Sequence, residues 1–176
     1  MMRSIKRQGF TLLEMMVTIA LISLISIVLS QVFISTLRSN KKTDILKEVK
    51  QNGNLALESM SRMIQNAKRV TCVTANTLAI VNPDGETTTI SCLLDDANTR
   101  LASSSASQTV FLSSPQVSLG GVVCESSSLQ FTCDDTSGLP SRVTVVFHLS
   151  QAGSPGDQFE QASEDFQTSV TMRNNP

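Results

Sequence analysis

The sequence predicts an α+β chain in which one long N-terminal helix packs on an antiparallel, β-rich head. Three observations carry this reading. Phe10 to Ile34 is a run of 25 residues whose only charge is Glu14. From about Ser39 to Ala67, apolar residues recur at three- and four-residue spacing with no proline to interrupt them. Past Arg69 the period shortens to Thr-, Val- and Ile-rich runs bounded by turn residues.

Residues 1–9 read as a leader carrying Arg3, Lys6 and Arg7 and ending at Gly9. A secretory signal is cut after its apolar region, at small residues. Here the strong junction precedes the apolar region, between Gly9 and Phe10, so a cut there keeps the greasy segment. Residues 10–34 form the span: at about 1.5 Å per residue, a helix of this length crosses a hydrocarbon core of about 30 Å.

Residues 35–69 are expected to continue as an amphipathic helix, making one helix from Phe10 to about Ala67. Ile45, Val49, Gly53, Ala56, Met60, Met63, Ile64 and Ala67 form its stripe, which we read as a core face against a sheet. Lys41, Lys42, Lys47, Glu48, Lys50, Gln51 and Arg62 lie on the other side, and Glu58 and Arg62 have the spacing of a favourable i,i+4 pair.

Residues 70–176 are the head. Val70–Ala75, Thr77–Asn82 and Glu86–Cys92 read as short strands, and Asn82-Pro83-Asp84-Gly85 as the turn between the last two. Residues 95–108, rich in Ser, Ala and Asp, read as a loop. Thr109–Leu112, Val117–Leu119, Leu129–Cys133, Arg142–Leu149 and Phe166–Met172 are the remaining strand candidates, and Gln151–Gln158 reads as a surface loop.

Charge is distributed unevenly along the chain. The leader carries +3, residues 10–70 carry +4, and residues 71–176 carry −8. Basic residues ahead of a span hold that end in the cytoplasm, so the C-terminal bulk is expected to be exported. An acidic exported head, with neither Trp nor Tyr, disfavours direct nucleic-acid binding. All four cysteines, Cys72, Cys92, Cys124 and Cys133, lie in this part. Disulfides fit an oxidising compartment better than zinc does, since the spacings are not C-x-x-C and the one histidine, His148, is distant. Of the three possible pairings we expect Cys72–Cys92 and Cys124–Cys133, because each closes a local loop and adds about 3 kcal/mol.

No catalytic constellation is present. His148 alternates with apolar neighbours and reads as a strand residue, and G-x-S-x-G and phosphate-loop patterns are absent. Asp95-Asp96 and Asp134-Asp135 could offer oxygen ligands to calcium, but lack the spaced D-x-D-x-D-G pattern, so no metal and no cofactor are expected.

Gly9-Phe10-Thr11-Leu12-Leu13-Glu14, with its basic leader, resembles the N-terminal signature of type IV pilins and of type II secretion pseudopilins. The resemblance is close across residues 3–34 and diffuse beyond. It implies a pilin-like fold and a structural role rather than an enzymatic one. It also implies that a prepilin peptidase cuts between Gly9 and Phe10 and that Phe10 is N-methylated. The span of residues 10–34 then becomes the filament core. A carboxylate in a membrane helix costs about 2.5–3.5 kcal/mol near the bilayer centre. The resemblance implies that Glu14 answers the new terminal ammonium of a neighbouring subunit and so sets the register of filament assembly.

Ser23, Ser26 and Ser30 lie on one helix face. They either allow close helix packing in lipid or bond their own backbone. The proline that many relatives carry within the span is missing, so the local helix unwinding it accompanies is not implied. Residues 166–174 resemble the closing strand of some minor subunits, and an irregular head favours a minor pilin or minor pseudopilin that initiates or caps a filament. Expected partners are the prepilin peptidase, other pilin or pseudopilin subunits, an inner-membrane assembly platform and membrane lipid. The expected location is the inner membrane, with the N-terminus cytoplasmic, followed by a periplasmic or surface filament. The alternative is a single-pass membrane protein whose signal anchor carries a ligand-binding or adhesive head.

Overall fold

The structure, a computed structural model, describes residues 9–96, 98–106, 108–134, 141–153 and 161–173. One α-helix, α1, runs from Leu12 to Asn66 without a break. The chain divides into two units, residues 1–40 and 41–176. In the first, α1 is apolar on all sides, and its large side chains from Leu12 to Leu37 are exposed.

In the second unit α1 becomes amphipathic. Val49, Gly53, Ala56, Met60 and Ile64, at four- and three-residue spacing, are its buried residues. Ile45 and Met63 pack beside them and Ala67 is fully buried just past the helix, as the expected stripe requires. Leu46 and Leu57 widen the face beyond that stripe. On the exposed side Glu58 and Arg62 form the i,i+4 ion pair.

Among the described residues nine strands follow. A meander of antiparallel hairpins places β1 (Arg69–Thr74), β2 (Thr77–Val81), β3 (Thr87–Asp95), β4 (Asn98–Ser105) and β5 (Gln108–Phe111) side by side in chain order. In the second sheet β8 (Arg142–Gln151) is central. It pairs along its length with β9 (Ser163–Thr171), and β7 (Gln130–Asp134) and the short β6 (Val117–Ser118) take successive parts of its other edge. A 3₁₀ turn at Cys124–Ser126 lies between β6 and β7. Alternation along β8 buries Val143, Val145, Phe147 and Leu149, while β2, β3 and β4 contribute Leu78, Ile80, Ile90 and Leu101 to the same core.

The two sheets meet at polar and covalent joints. The Leu119 N–H donates to the Thr99 carbonyl at 2.8 Å, and the Phe131 N–H to that of Ala75 at 2.7 Å. The buried hydroxyls of Thr99 and Ser118 lie 3.0 Å apart. Disulfides join Cys72 to Cys133 and Cys92 to Cys124.

That pairing corrects the local one expected from loop length. Cys72 stands opposite Leu78 of β2, and Leu78 opposite Ile90 of β3, so β2 lies between the two cysteine-bearing strands. Two strand spacings amount to about 10 Å, and a disulfide needs Cα atoms within about 7 Å. Cys72 instead reaches β7 of the other sheet, and Cys92 reaches the 3₁₀ turn.

A second correction concerns residues 95–108. Their composition predicts a loop, yet residues 98–105 form β4, the strand between β3 and β5. The Asp- and Ser-rich ends are hairpin turns, with Asp95 paired to Asn98 and Ser105 to Gln108. Asp96 holds the positive φ of 54° that Asp tolerates better than most residues. β4 escaped detection because Thr99 to Ser103 are all buried, which leaves no alternation of polar and apolar residues. Of the predicted loop at Gln151–Gln158, Gln151 ends β8 and residues 154–158 lie outside the described residues.

Candidate functional site: the N-terminal junction

The residues singled out by the sequence fall into two groups. Gly9, Phe10 and Glu14 lie within about one turn at the start of α1, and the four cysteines lie in the head. Gly9 and Phe10 precede the helix as exposed chain, and a β-carbon built on Gly9 would meet nothing within 4 Å. Among the described residues nothing crowds the peptide bond between them. The basic residues Arg3, Lys6 and Arg7 lie outside the described residues.

Thr11 caps the helix. Its hydroxyl oxygen accepts the Glu14 backbone N–H at 3.3 Å, and its carbonyl accepts that of Met15 at 3.2 Å. Thr11-x-x-Glu14 is the sequence pattern of a capping box, a local signal independent of the apolar run that follows it. Its consequence is that α1 begins two residues after the Gly9–Phe10 bond. Glu14 therefore sits in the first turn, where free N–H groups and the helix dipole favour a negative charge. Among the described residues its carboxylate has no hydrogen-bond or ion-pair partner.

Further along, the hydroxyls of Ser23, Ser26 and Ser30 donate to the carbonyls four residues back at 2.7, 2.8 and 2.8 Å. Thr36 does the same with Val32. The serines thus bond their own backbone. Their hydroxyls are satisfied within the helix, and the segment offers hydrocarbon an apolar surface. The helix is long and apolar enough to cross a membrane.

The family model described as the prokaryotic N-terminal methylation motif matches residues 5–30. The chain carries the type IV pilin and pseudopilin signature. This signature covers the junction, the cap, Glu14 and the apolar run as far as Ser30. It supports a pilin-like or pseudopilin-like role. It implies processing by a prepilin peptidase and assembly with other pilin-type subunits, and it fits a membrane-anchored protein that later enters a filament. No curated protein and no solved structure matches the chain.

In the head, the other polar candidates are tied into the fold. His148 lies on β8, with its Nδ1 2.7 Å from the Asp165 carboxylate on β9. Asp95 pairs with Arg100, a buried residue whose guanidinium also donates to the Ser113 carbonyl and lies 3.9 Å from the centre of the Phe111 ring. Asp96 is exposed, and Asp135 lies outside the described residues. A groove of about 420 Å³ is lined by Thr74–Thr77, Ser91, Glu125 and the Cys92–Cys124 disulfide.

Proposed function

We propose that this chain is a minor pilin or minor pseudopilin, cut between Gly9 and Phe10, N-methylated on Phe10 and assembled through Glu14. Residues 1–9 are then the leader, 10–34 the membrane span and filament core, 35–69 the amphipathic part of the helix, and 70–176 the exported head. The observation that carries the reading is the Glu14 carboxylate in an apolar helix, without a partner among the described residues. Cleavage creates a cation one turn away, at the Phe10 amine. In the membrane one subunit carries both charges. In a filament the carboxylate meets the amine of a neighbour, and that match fixes the axial offset between subunits as helix contacts replace lipid contacts.

The minor assignment rests on the resemblance of residues 166–174 to the closing strand of some minor subunits; β9 stacks Phe166 on Phe147 at a ring separation of 5.3 Å and lies against α1 at Gly53. Such a subunit initiates or caps a filament at the inner-membrane assembly platform, with its N-terminus on the cytoplasmic side. Intact mass of the native protein tests the processing. The expected mass lacks residues 1–9, gains one methyl group and reflects two disulfides; an N-terminus still bearing Met1 to Gly9 overturns the proposal. Co-assembly of Glu14→Ala and Glu14→Leu tests the register role, with incorporation lost in both. Undiminished incorporation rejects the role of Glu14 while leaving the processing intact.

The groove beside Cys124 favours one other reading, an anchored head that binds a small polar ligand. An unprocessed N-terminus together with ligand-dependent stabilisation of the head would select it.

A further inference from the structure

We infer that the head reaches its native disulfides by exchange out of a locally paired state, so that its maturation includes a disulfide-isomerisation step. The argument concerns the covalent maturation of the head and is independent of the filament reading. The native bonds are nested: Cys72–Cys133 spans 61 residues and encloses Cys92–Cys124, which spans 32. The local alternatives span only 20 residues, from 72 to 92, and 9 residues, from 124 to 133. The cost of closing a flexible loop rises with the logarithm of its length. Because the inner bond shortens the outer loop to about 30 residues, the local pair of bonds is favoured over the native pair in an unfolded chain on the order of 10-fold. An exported chain also presents Cys72 and Cys92 before Cys124 and Cys133.

The locally paired chain cannot fold. With β2 lying between β1 and β3, a Cys72–Cys92 bond would have to cross about 10 Å, and forming it expels β2 from the sheet. Burial of Leu78 and Ile80, both fully inaccessible in the native head, is lost with that strand. The native pairing is thus selected by the folded sheet and the local pairing by the unfolded chain.

Three exchanges connect the two states without net oxidation. A thiolate from a small thiol or a dithiol isomerase attacks the Cys92 sulfur of Cys72–Cys92, forming a mixed disulfide and freeing the Cys72 thiolate. The Cys72 thiolate attacks the Cys133 sulfur of Cys124–Cys133, forming Cys72–Cys133 and freeing the Cys124 thiolate. The Cys124 thiolate then attacks Cys92 in the mixed disulfide, forming Cys92–Cys124 and returning the catalyst thiolate. Because Cys92–Cys124 lines the open groove, the last bond forms at a place the catalyst can reach.

The test is oxidative refolding of the full chain in detergent micelles after reduction and unfolding. Thiols are alkylated at intervals, and the linked peptides are mapped by mass spectrometry without reduction. With dissolved oxygen alone, Cys72–Cys92 and Cys124–Cys133 peptides dominate the early samples and persist. Adding reduced glutathione in catalytic amount converts them to the native pairs. Native pairs dominating the earliest samples with no thiol present would overturn the inference. The double variant Cys92→Ser/Cys124→Ser has one possible pairing, so it forms Cys72–Cys133 with oxygen alone at full yield. A thiol requirement in that chain would equally overturn it.

Discussion

The phenyl ring of Phe166 occupies the space that a β-carbon on Gly53 would fill. Gly53 lies inside α1, where glycine costs about 1 kcal/mol relative to alanine. The missing side chain lets β9 bring its ring against the helix backbone and stack it on Phe147. Lys50, one turn before Gly53, adds an ion pair to Glu164 of the same strand at 3.3 Å. We expect Gly53→Ala to lower head stability by about 1–2 kcal/mol despite its better helix propensity, because overpacking exceeds the propensity gain. Thermal unfolding of the single and double variants checks this. In the Gly53→Ala background, Phe166→Leu should recover part of the loss, whereas in the parent it should cost stability.

Arg100 is held by Asp95, the Ser113 carbonyl and the face of Phe111, with about a tenth of its side chain exposed. Its Nε has no partner among the described residues. Removing Asp95 leaves a buried guanidinium without its counter-ion. Asp95→Ala should therefore destabilise the head by about 2 kcal/mol, a value below that of a fully buried pair because Asp95 remains partly hydrated. Arg100→Met, which removes the charge and keeps the stem, should cost less. Denaturant midpoints of the two variants decide the order, and equal losses would show that the ion pair contributes nothing beyond packing.

Each disulfide restricts a long loop. Chain entropy gives about 4 kcal/mol for each, slightly more for Cys72–Cys133 than for Cys92–Cys124. Paired serine substitutions at 72 and 133 should lower the denaturant midpoint more than those at 92 and 124. The reverse order would indicate that the 3₁₀ turn depends on its bond more than the sheets depend on theirs.

The hydroxyls of Ser23, Ser26 and Ser30 are occupied by their own helix. Replacing all three by alanine should leave membrane anchoring and filament incorporation unchanged, as read by fractionation and co-purification. Leucine at the same positions keeps the segment apolar but adds bulk, and it should reduce incorporation if this face packs closely against a neighbour.

Much of this architecture is legible in the sequence because its signals are periodic. The helix stripe from Val49 to Ile64 and the alternation in β8 state their own burial, and turn residues mark the hairpins. β4 was hidden because it is buried on both faces by small and hydroxylated side chains, which in sequence look like a linker. The disulfide pairing was hidden for a different reason: it depends on which strand lies between two others, a property of the assembled sheet. At the N-terminus, the Gly9–Phe10 junction and Glu14 are evident from the abrupt change of composition. The cap at Thr11 was equally written there, in a four-residue pattern overshadowed by the apolar run.

The nested disulfides also change what a broken main chain means for this head. A single cut anywhere between Cys72 and Cys133, for instance at the exposed hairpin end near Ser105, leaves both fragments joined through sulfur. A protease acting there would nick the head without shedding a piece of it, and the damage would become visible only after reduction.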